Sequence, residues 1–517
     1  MAGQDVDDDV KTLHSMGYAQ ELSRSMGQFS NFAISFSIIC ILSGGINSLG
    51  QGVASAGGAS VTFGWIIGGL CALLVTFGMA QIASAFPTAG GLYHWSSILG
   101  GRFWGWLTAW FNLFGLITVL AAINVGTFNF FLGSFGPQFG VTAEHQLLFV
   151  GLMTASHALI NHMGIKATTR LTDFSGYLIL FGAVLLAGSL FYFAGNDAGE
   201  TRDFGRMIKF ENYTGDASGG VWPTRFENMW MVFAVGLLLP IYTLTGYDAS
   251  AHTSEETKSA AINVPKGIIN SVLYASIFAL LFSVAFVLAI PDMAEAAKAG
   301  WGVFFYVLDA QIPAPLRYLI YAIVFVAQYI CGLATVTSVS RMIFAFARDK
   351  GLPLSSVWAK ISPKWRTPVA AIWVGSALAV AFTAYAKLYG LIAVSCVIAL
   401  YFSYVMPTIA GFFAYGKTWT KMGPWDIGGL YKVVAVVVTI LVAIIIYVGI
   451  QPPNDAAVTV FKWFIGTTIV VWASIEWILP ALGMKSAKFQ GPPTGASIEA
   501  RAKAIEEAEK ALNAALK

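Results

Sequence analysis

Apolar residues along this 517-residue chain fall into long blocks parted by short polar stretches. A helix that crosses the hydrocarbon of a bilayer needs about 20 mostly apolar residues. By that measure the blocks predict twelve membrane-spanning helices, at 28–56, 61–84, 103–133, 145–163, 170–194, 228–256, 266–290, 315–347, 367–385, 387–412, 430–450 and 458–480. The weakest separation lies between spans nine and ten, at Tyr385-Ala386-Lys387. Periodicity within the blocks adds little, because a bundle-facing side and a lipid-facing side are both apolar. The chain therefore divides into a lead-in at 1–27, spans one to five at 28–194, an outer loop at 195–227, spans six to ten at 228–412, spans eleven and twelve at 413–480, and a tail at 481–517. Only the end of the tail, 496–517, shows a helical period. Ile498, Ala502, Ile505, Ala508, Leu512 and Leu516 make one apolar face, and Glu499–Lys503 and Glu506–Lys510 are favourable i,i+4 pairs. A solvated or self-docking helix is expected there.

Composition agrees with the pattern. The chain is 57% hydrophobic and 11% charged, against about a quarter charged for soluble proteins. Its 16 Trp, 19 Tyr and 38 Phe supply the aromatic load that lipid interfaces favour. Disorder, a coiled coil and a disulfide scaffold are excluded, and a net charge of +3 is too small to suggest a nucleic-acid partner. The partner is the lipid bilayer. Cys40, Cys71, Cys331 and Cys396 stand singly in apolar blocks, so neither a metal cage nor a disulfide framework is expected. The acidic lead-in is no signal peptide. Lys and Arg cluster on the loops that share a side with the N-terminus, among them Arg102, Lys166, Arg170, Lys258, Lys266, Arg341, Arg348, Lys350, Lys360, Lys364 and Arg366. That asymmetry places both termini in the cytosol of a multi-pass plasma-membrane protein, the inner membrane in a bacterium. Segments 195–227 and 291–314 are long enough for short outer lids.

Two spans are interrupted at their middles. Span one carries Ser43-Gly44-Gly45, and span six carries Pro240 and Gly246 around Tyr242-Thr243-Leu244-Thr245. A lone glycine pair reads as a kink, but these are the first helices of two five-helix halves. Interrupted helices in matching positions point to an inverted-repeat transporter site. Backbone groups freed at such breaks cannot face lipid and must line a cavity. The half-helix after Gly45 would offer N–H groups to a carboxylate, and the one ending near Thr243 would offer carbonyls to an ammonium.

The same residues carry a resemblance. TLTGYDASAHTSEET followed by NVPKGI, with YAQEL, NFAISFSIICILSGG, FPTAGGLYHWSS and VTSVSRMIFAFARDKGLP, resembles the amino acid/choline transporter branch of the amino acid–polyamine–organocation superfamily. That branch includes GABA permeases and plant bidirectional amino acid transporters, and the likeness runs from about residue 17 to 450. It implies an all-α integral membrane fold with a five-plus-five inverted-repeat core, helices 1 and 6 broken, plus two peripheral helices. It also implies transport of amino acids, GABA, choline or related amines.

Candidate substrate contacts are Ser43, Gly44, Gly45, Tyr242, Thr243, Thr245 and Gly246. Tyr242 would close an aromatic lid, as the resemblance implies, or sit as an interfacial tyrosine. The threonine hydroxyls either face substrate or bond their own backbone. Asn124, Gln328 and Tyr401 lie at mid-depth on surrounding helices, as substrate contacts or as interhelical glue. Asp248, a carboxylate inside a span, needs compensation. Capping the second half-helix is the expectation, with amine binding and proton carriage as alternatives. Glu255 and Glu256 are expected to pair with Arg341 or Arg348 as an inner gate.

No GxxxxGK[ST] occurs, so ATP drive has no support. The resemblance implies that many proton-coupled members place a Lys of span five against span one. Here that stretch is Gly176-Tyr177-Leu178-Ile179-Leu180, without one. Carbonyls near Ile39 and Leu42 with the hydroxyls of Thr337 and Ser338 offer a sodium site instead. Proton symport is the expectation, with sodium coupling and exchange as alternatives; no organic cofactor or resident metal is expected. A membrane enzyme is disfavoured because His157 and His162 lack HExxH spacing and no GxSxG occurs. A channel or sensor lacks charged rings and a signalling domain.

Overall fold

The computed structural model describes residues 2–194, 203–386, 388–484, 488–493 and 496–514. Expectations resting on Arg202, Lys387, Leu516 and the 195–202 part of the outer loop lie outside the described residues. Apart from breaks within spans one and six, the described apolar blocks are helical, since inside hydrocarbon each segment has to satisfy its own backbone groups. Among the described residues, ten helices are long and apolar enough to cross a membrane, beginning with Gln28–Asn47, Gly58–Ala85, Arg102–Ser134 and Ile165–Phe193. They continue with Ala260–Ala289, Ala314–Arg348, Val369–Ala386, Tyr389–Ala414, Leu430–Gly449 and Ala456–Ala481. The remaining two of the twelve expected spans differ. Span four is the shorter helix Gln146–His162, and span six comes in the pieces Met229–Gly236, Leu238–Thr243 and Ala249–His252.

The packing repeats with an offset of five. Span one packs on spans five and seven, as span six packs on spans ten and two; span three packs on span nine, as span eight packs on span four. Spans two and seven, and three and eight, pair with each other and map onto themselves. Close approach is made by small residues, as expected where no hydrophobic effect drives helices together. Gly68 lies against Pro240 of span six, and Gly115 against Leu400 of span ten. Spans eleven and twelve are peripheral, only 39% and 22% buried against 83% for span one.

Several short elements were not anticipated. Helix Leu92–Gly100 follows span two, and Met293–Lys298 and Val303–Gln311 occupy the loop before span eight. The lead-in forms helix Ala2–Ser15 and then a strap whose Met26 pairs with Thr257 beyond span six. Tail helix Ala496–Ala514 touches the lead-in through His14 and Glu509, 2.8 Å apart. Both terminal segments therefore lie on one face, called the terminal face below.

Candidate functional site

Span one stops at Ile39. Cys40 takes φ +27°, which a residue with a side chain rarely adopts, and Ser43 sits outside the helical region at φ −106°, ψ −81°. The helix resumes at Gly44, whose amide bonds Cys40 O at 3.1 Å. The amides of Gly45 and Ile46 have no backbone acceptor among the described residues, although both residues are buried. Span six stops at Thr243, and Gly246 takes φ +94°. The carbonyls of Thr243 and Leu244 accept no backbone hydrogen bond among the described residues.

The two breaks cross in contact. A Cβ on Gly44 would lie 3.0 Å from Thr243 Cα, and one on Gly246 would lie 2.2 Å from Ile38 Cγ2. An N–H end and a C=O end thus meet inside the bundle, complementary to a carboxylate and an ammonium respectively.

Neighbouring helices brace the breaks. Gln328 of span eight donates from Nε2 to Leu42 O at 3.0 Å and accepts from Asn47 Nδ2 at 3.3 Å. Cys331 Sγ donates to Ile38 O at 3.2 Å. From span ten, Tyr401 donates to Ile241 O at 3.4 Å, and Tyr404 Oη accepts from the Gly246 amide at 3.1 Å. Gln328 and Tyr401 therefore hold backbone at the crossing. The hydroxyls of Thr243 and Thr245 donate to Leu239 O and Tyr242 O, within their own segment.

Several of the remaining candidates have other partners, and one expectation, the Asp248 cap, needs correction. Asn124 donates to Thr154 Oγ1 of span four at 2.8 Å, so it ties two scaffold helices and is not brought to the crossing. Of the four groups of the sodium set, two are engaged elsewhere, while Ser338 Oγ is buried with no partner among the described residues. Leu42 O is taken by Gln328, while Thr337 Oγ1 donates to Asn161 Oδ1 of span four at 2.7 Å. At 1.5 Å per residue, Gln328 and Thr337 stand about 13 Å apart along span eight, too far for one cation to share their neighbours. Asp248 does not cap its half-helix with its side chain. Its fully buried carboxylate accepts instead from Tyr404 Oη at 3.0 Å and Asn112 Nδ2 at 2.9 Å, with His252 Nε2 at 3.3 Å.

The crossing is covered differently on its two sides. Away from the terminal face, Tyr242 packs edge-to-face on Tyr389, which packs edge-to-face on Trp301 and bonds Ser48 Oγ at 3.0 Å. Beyond this aromatic layer opens a cavity of about 640 Å³ whose wall includes Ile46, Asn47, Gln51, Trp301 and Tyr389. Its floor lies one residue past Gly45, while Gly44, Gly45 and Tyr242 sit behind it. Toward the terminal face the crossing is sealed. Arg341 grips Glu256 through Nε at 3.0 Å and Nη2 at 2.8 Å, both side chains fully buried. Arg348 grips Glu255 at 3.1 and 2.8 Å.

A crossing of broken helices, closed on one side and opening through aromatic rings on the other, is the geometry of a carrier. The sequence profile of the family described as amino acid permease matches residues 26–475. The chain belongs to the amino acid permease family. Among relatives of this permease is "Amino-acid permease BAT1 homolog" of Oryza sativa subsp. japonica, 32% identical over 77% of this chain and 79% of that one. "Amino-acid permease BAT1" of Arabidopsis thaliana is 30% identical over 84% of this chain and 86% of its own. The "GABA-specific permease" of Saccharomyces cerevisiae is 29% identical over 70% of this chain and 64% of its own. A solved Na+-coupled sialic acid symporter in a substrate-bound outward-open state superposes with a TM-score of 0.49 at 14% identity, covering 87% of this chain and 94% of that one.

The strap of the permease completes the seal. Ser25 and Met26 donate backbone amides to Glu256 O at 2.9 and 2.8 Å, and Gln20 Nε2 donates to Glu255 O at 2.8 Å. The Tyr18 ring lies 3.9 Å under the Arg348 guanidinium, and its hydroxyl donates to Asp349 Oδ2 at 2.7 Å. Burial, with Asp349 beside it, pushes the Tyr18 phenol well up, so it stays a neutral donor. Sequence reasoning missed Cys331, Tyr404, Asn112, His252 and Tyr18. His252 carried a signal: it stands four residues after Asp248, on the same helical face.

Proposed function

We propose that this permease is a secondary active transporter that carries an amino acid or a related small amine such as GABA by alternating access, in symport with protons. The observation that supports this reading is the packing of Gly44 on Thr243, which brings the break of span one, with unpaired amides at Gly45 and Ile46, against the break of span six, with unpaired carbonyls at Thr243 and Leu244. Opposed partial charges of opposite sign, held in a buried crossing, match a zwitterion. The names of the relatives add amino acids and GABA to the candidates. The cavity leading in has no Asp or Glu in its lining among the described residues, which disfavours multiply charged polyamines. Cation-rich loops on the terminal face support a cytosolic orientation for that face, on which reading the seal is the inner gate and the cavity opens outward.

Reconstitution in proteoliposomes tests this directly. Labelled amino acids, GABA, choline and polyamines are offered under imposed proton or sodium gradients. Uptake of a zwitterion driven by the proton gradient is expected, with Tyr242→Phe retaining it and Tyr242→Ala losing affinity. Uptake driven only by sodium, or normal affinity in Tyr242→Ala, contradicts the reading.

A further inference from the structure

Just below the crossing, Asp248 and His252 form a fully buried pair whose hydrogen bonds leave a proton unaccounted for. His252 Nδ1 lies 3.2 Å from Ala89 O, a carbonyl that only accepts, so Nδ1 carries hydrogen. Asp248 already accepts from Tyr404 on Oδ1 and from Asn112 on Oδ2. The remaining contact, His252 Nε2 to Asp248 Oδ2 at 3.3 Å, sets two lone pairs face to face unless a proton lies between them. Either imidazolium faces carboxylate or neutral imidazole faces carboxylic acid.

We propose that the Asp248–His252 pair is the proton-binding site that couples transport, a site that rests on the symport reading above and replaces the lysine that span five lacks. Placement gives the proton two readouts. Tyr404, which donates to Asp248, also receives the Gly246 amide at the break of span six. Ala89, whose carbonyl holds His252, donates its own amide to Glu255 Oε1 at 3.1 Å in the gate. When the proton leaves, Nε2 and Oδ2 repel, and the His252 ring loses its hold on Asp248 at the end of the turn that leads directly into the gate glutamates. The titratable groups facing the pair are Tyr404 and Cys396 from span ten and Tyr247 from span six, with Glu255 linked to it only through Ala89. Span three presents Asn112, and the segment after span two presents backbone at Ala89 and Gly91.

The test uses proteoliposomes of the full chain with tritiated GABA and a radiolabelled mixture of the common amino acids. Counterflow without a gradient needs no net proton movement, whereas accumulation under an imposed pH gradient does. His252→Gln and Asp248→Asn are expected to keep measurable counterflow and to lose gradient-driven accumulation at least tenfold. Tyr404→Phe keeps both titrating groups but removes a donor to the carboxylate anion. It is expected to move the pH midpoint of accumulation upward by about one unit, the size of a lost hydrogen bond to a charged group. Accumulation that survives in both first variants, or an unmoved midpoint in Tyr404→Phe, overturns the proton site while leaving transport intact. Absence of counterflow in the wild-type chain overturns the transport reading itself.

Discussion

The glycines of the crossing are not equivalent. A Cβ on Gly246 would overlap Ile38 Cγ2 at 2.2 Å and sit on a backbone at φ +94°, where a side chain costs about 1–2 kcal/mol before any overlap. A Cβ on Gly44 would press on Thr243 Cα at 3.0 Å, whereas one on Gly45 meets Trp65 Cζ2 at 3.6 Å and Ile41 Cβ at 3.9 Å, ordinary contacts. Initial uptake rates, normalised to inserted protein, should fall more than tenfold in Gly246→Ala and strongly in Gly44→Ala, with Gly45→Ala close to wild type. Equal losses in all three would show that the contact between breaks is unimportant. The glycines were legible in the sequence because both interruptions fall in the first helix of a five-helix half. Cys40 and Cys331 were not, since a single cysteine in an apolar block reads as packing. Asp248 was found, but its role was misread: sequence spacing shows the half-helix beside it, not Tyr404 and Asn112 arriving from spans ten and three.

Among elements, the end of span six is held by buried charge. Glu256 and Arg341 are both 0% exposed, so removing one partner leaves the other unpaired inside protein. Arg341→Met should destabilise the fold by about 3–5 kcal/mol, and the double change with Glu256→Met should recover much of that loss. Thermal unfolding in detergent checks both; a double variant no better than the single one would mean the arginine acts through other contacts. Long apolar blocks placed the spans to within a few residues because the bilayer sets their length. Leu92–Gly100 and Val303–Gln311 escaped, being shorter than a span and without a clear polar boundary. The division of span six into three pieces was legible only at Pro240 and Gly246.

Across the whole molecule, the two ends of the chain converge on the seal. His94 lies between span two and span three, fully buried, stacked on Tyr18 with ring centroids 4.9 Å apart and 3.3 Å from Asp349. Burial holds its imidazole below the ordinary value despite Asp349, so the folded chain keeps it neutral where the unfolded chain takes up a proton. Below about pH 6.5 the unfolded state binds more protons, and stability contributed by His94 falls as pH falls. Between pH 7.5 and 5.5 the wild-type chain should lose more thermal stability than His94→Gln; a smaller loss in the wild type would reverse the sign of the effect. No local pattern announced this convergence, because Tyr18 and Asp349 lie 331 positions apart and each reads as a solvated polar residue on its own. The crossing of spans one and six is the claim on which function depends. A structure bound to whichever amino acid or amine passes in counterflow tests it most directly. The expected result is a carboxylate on the Gly45 and Ile46 amides and an ammonium on the Thr243 and Leu244 carbonyls, with Tyr242 closed over the ligand. A ligand found only in the cavity between Trp301 and Asn454, with the crossing filled by protein, would contradict it.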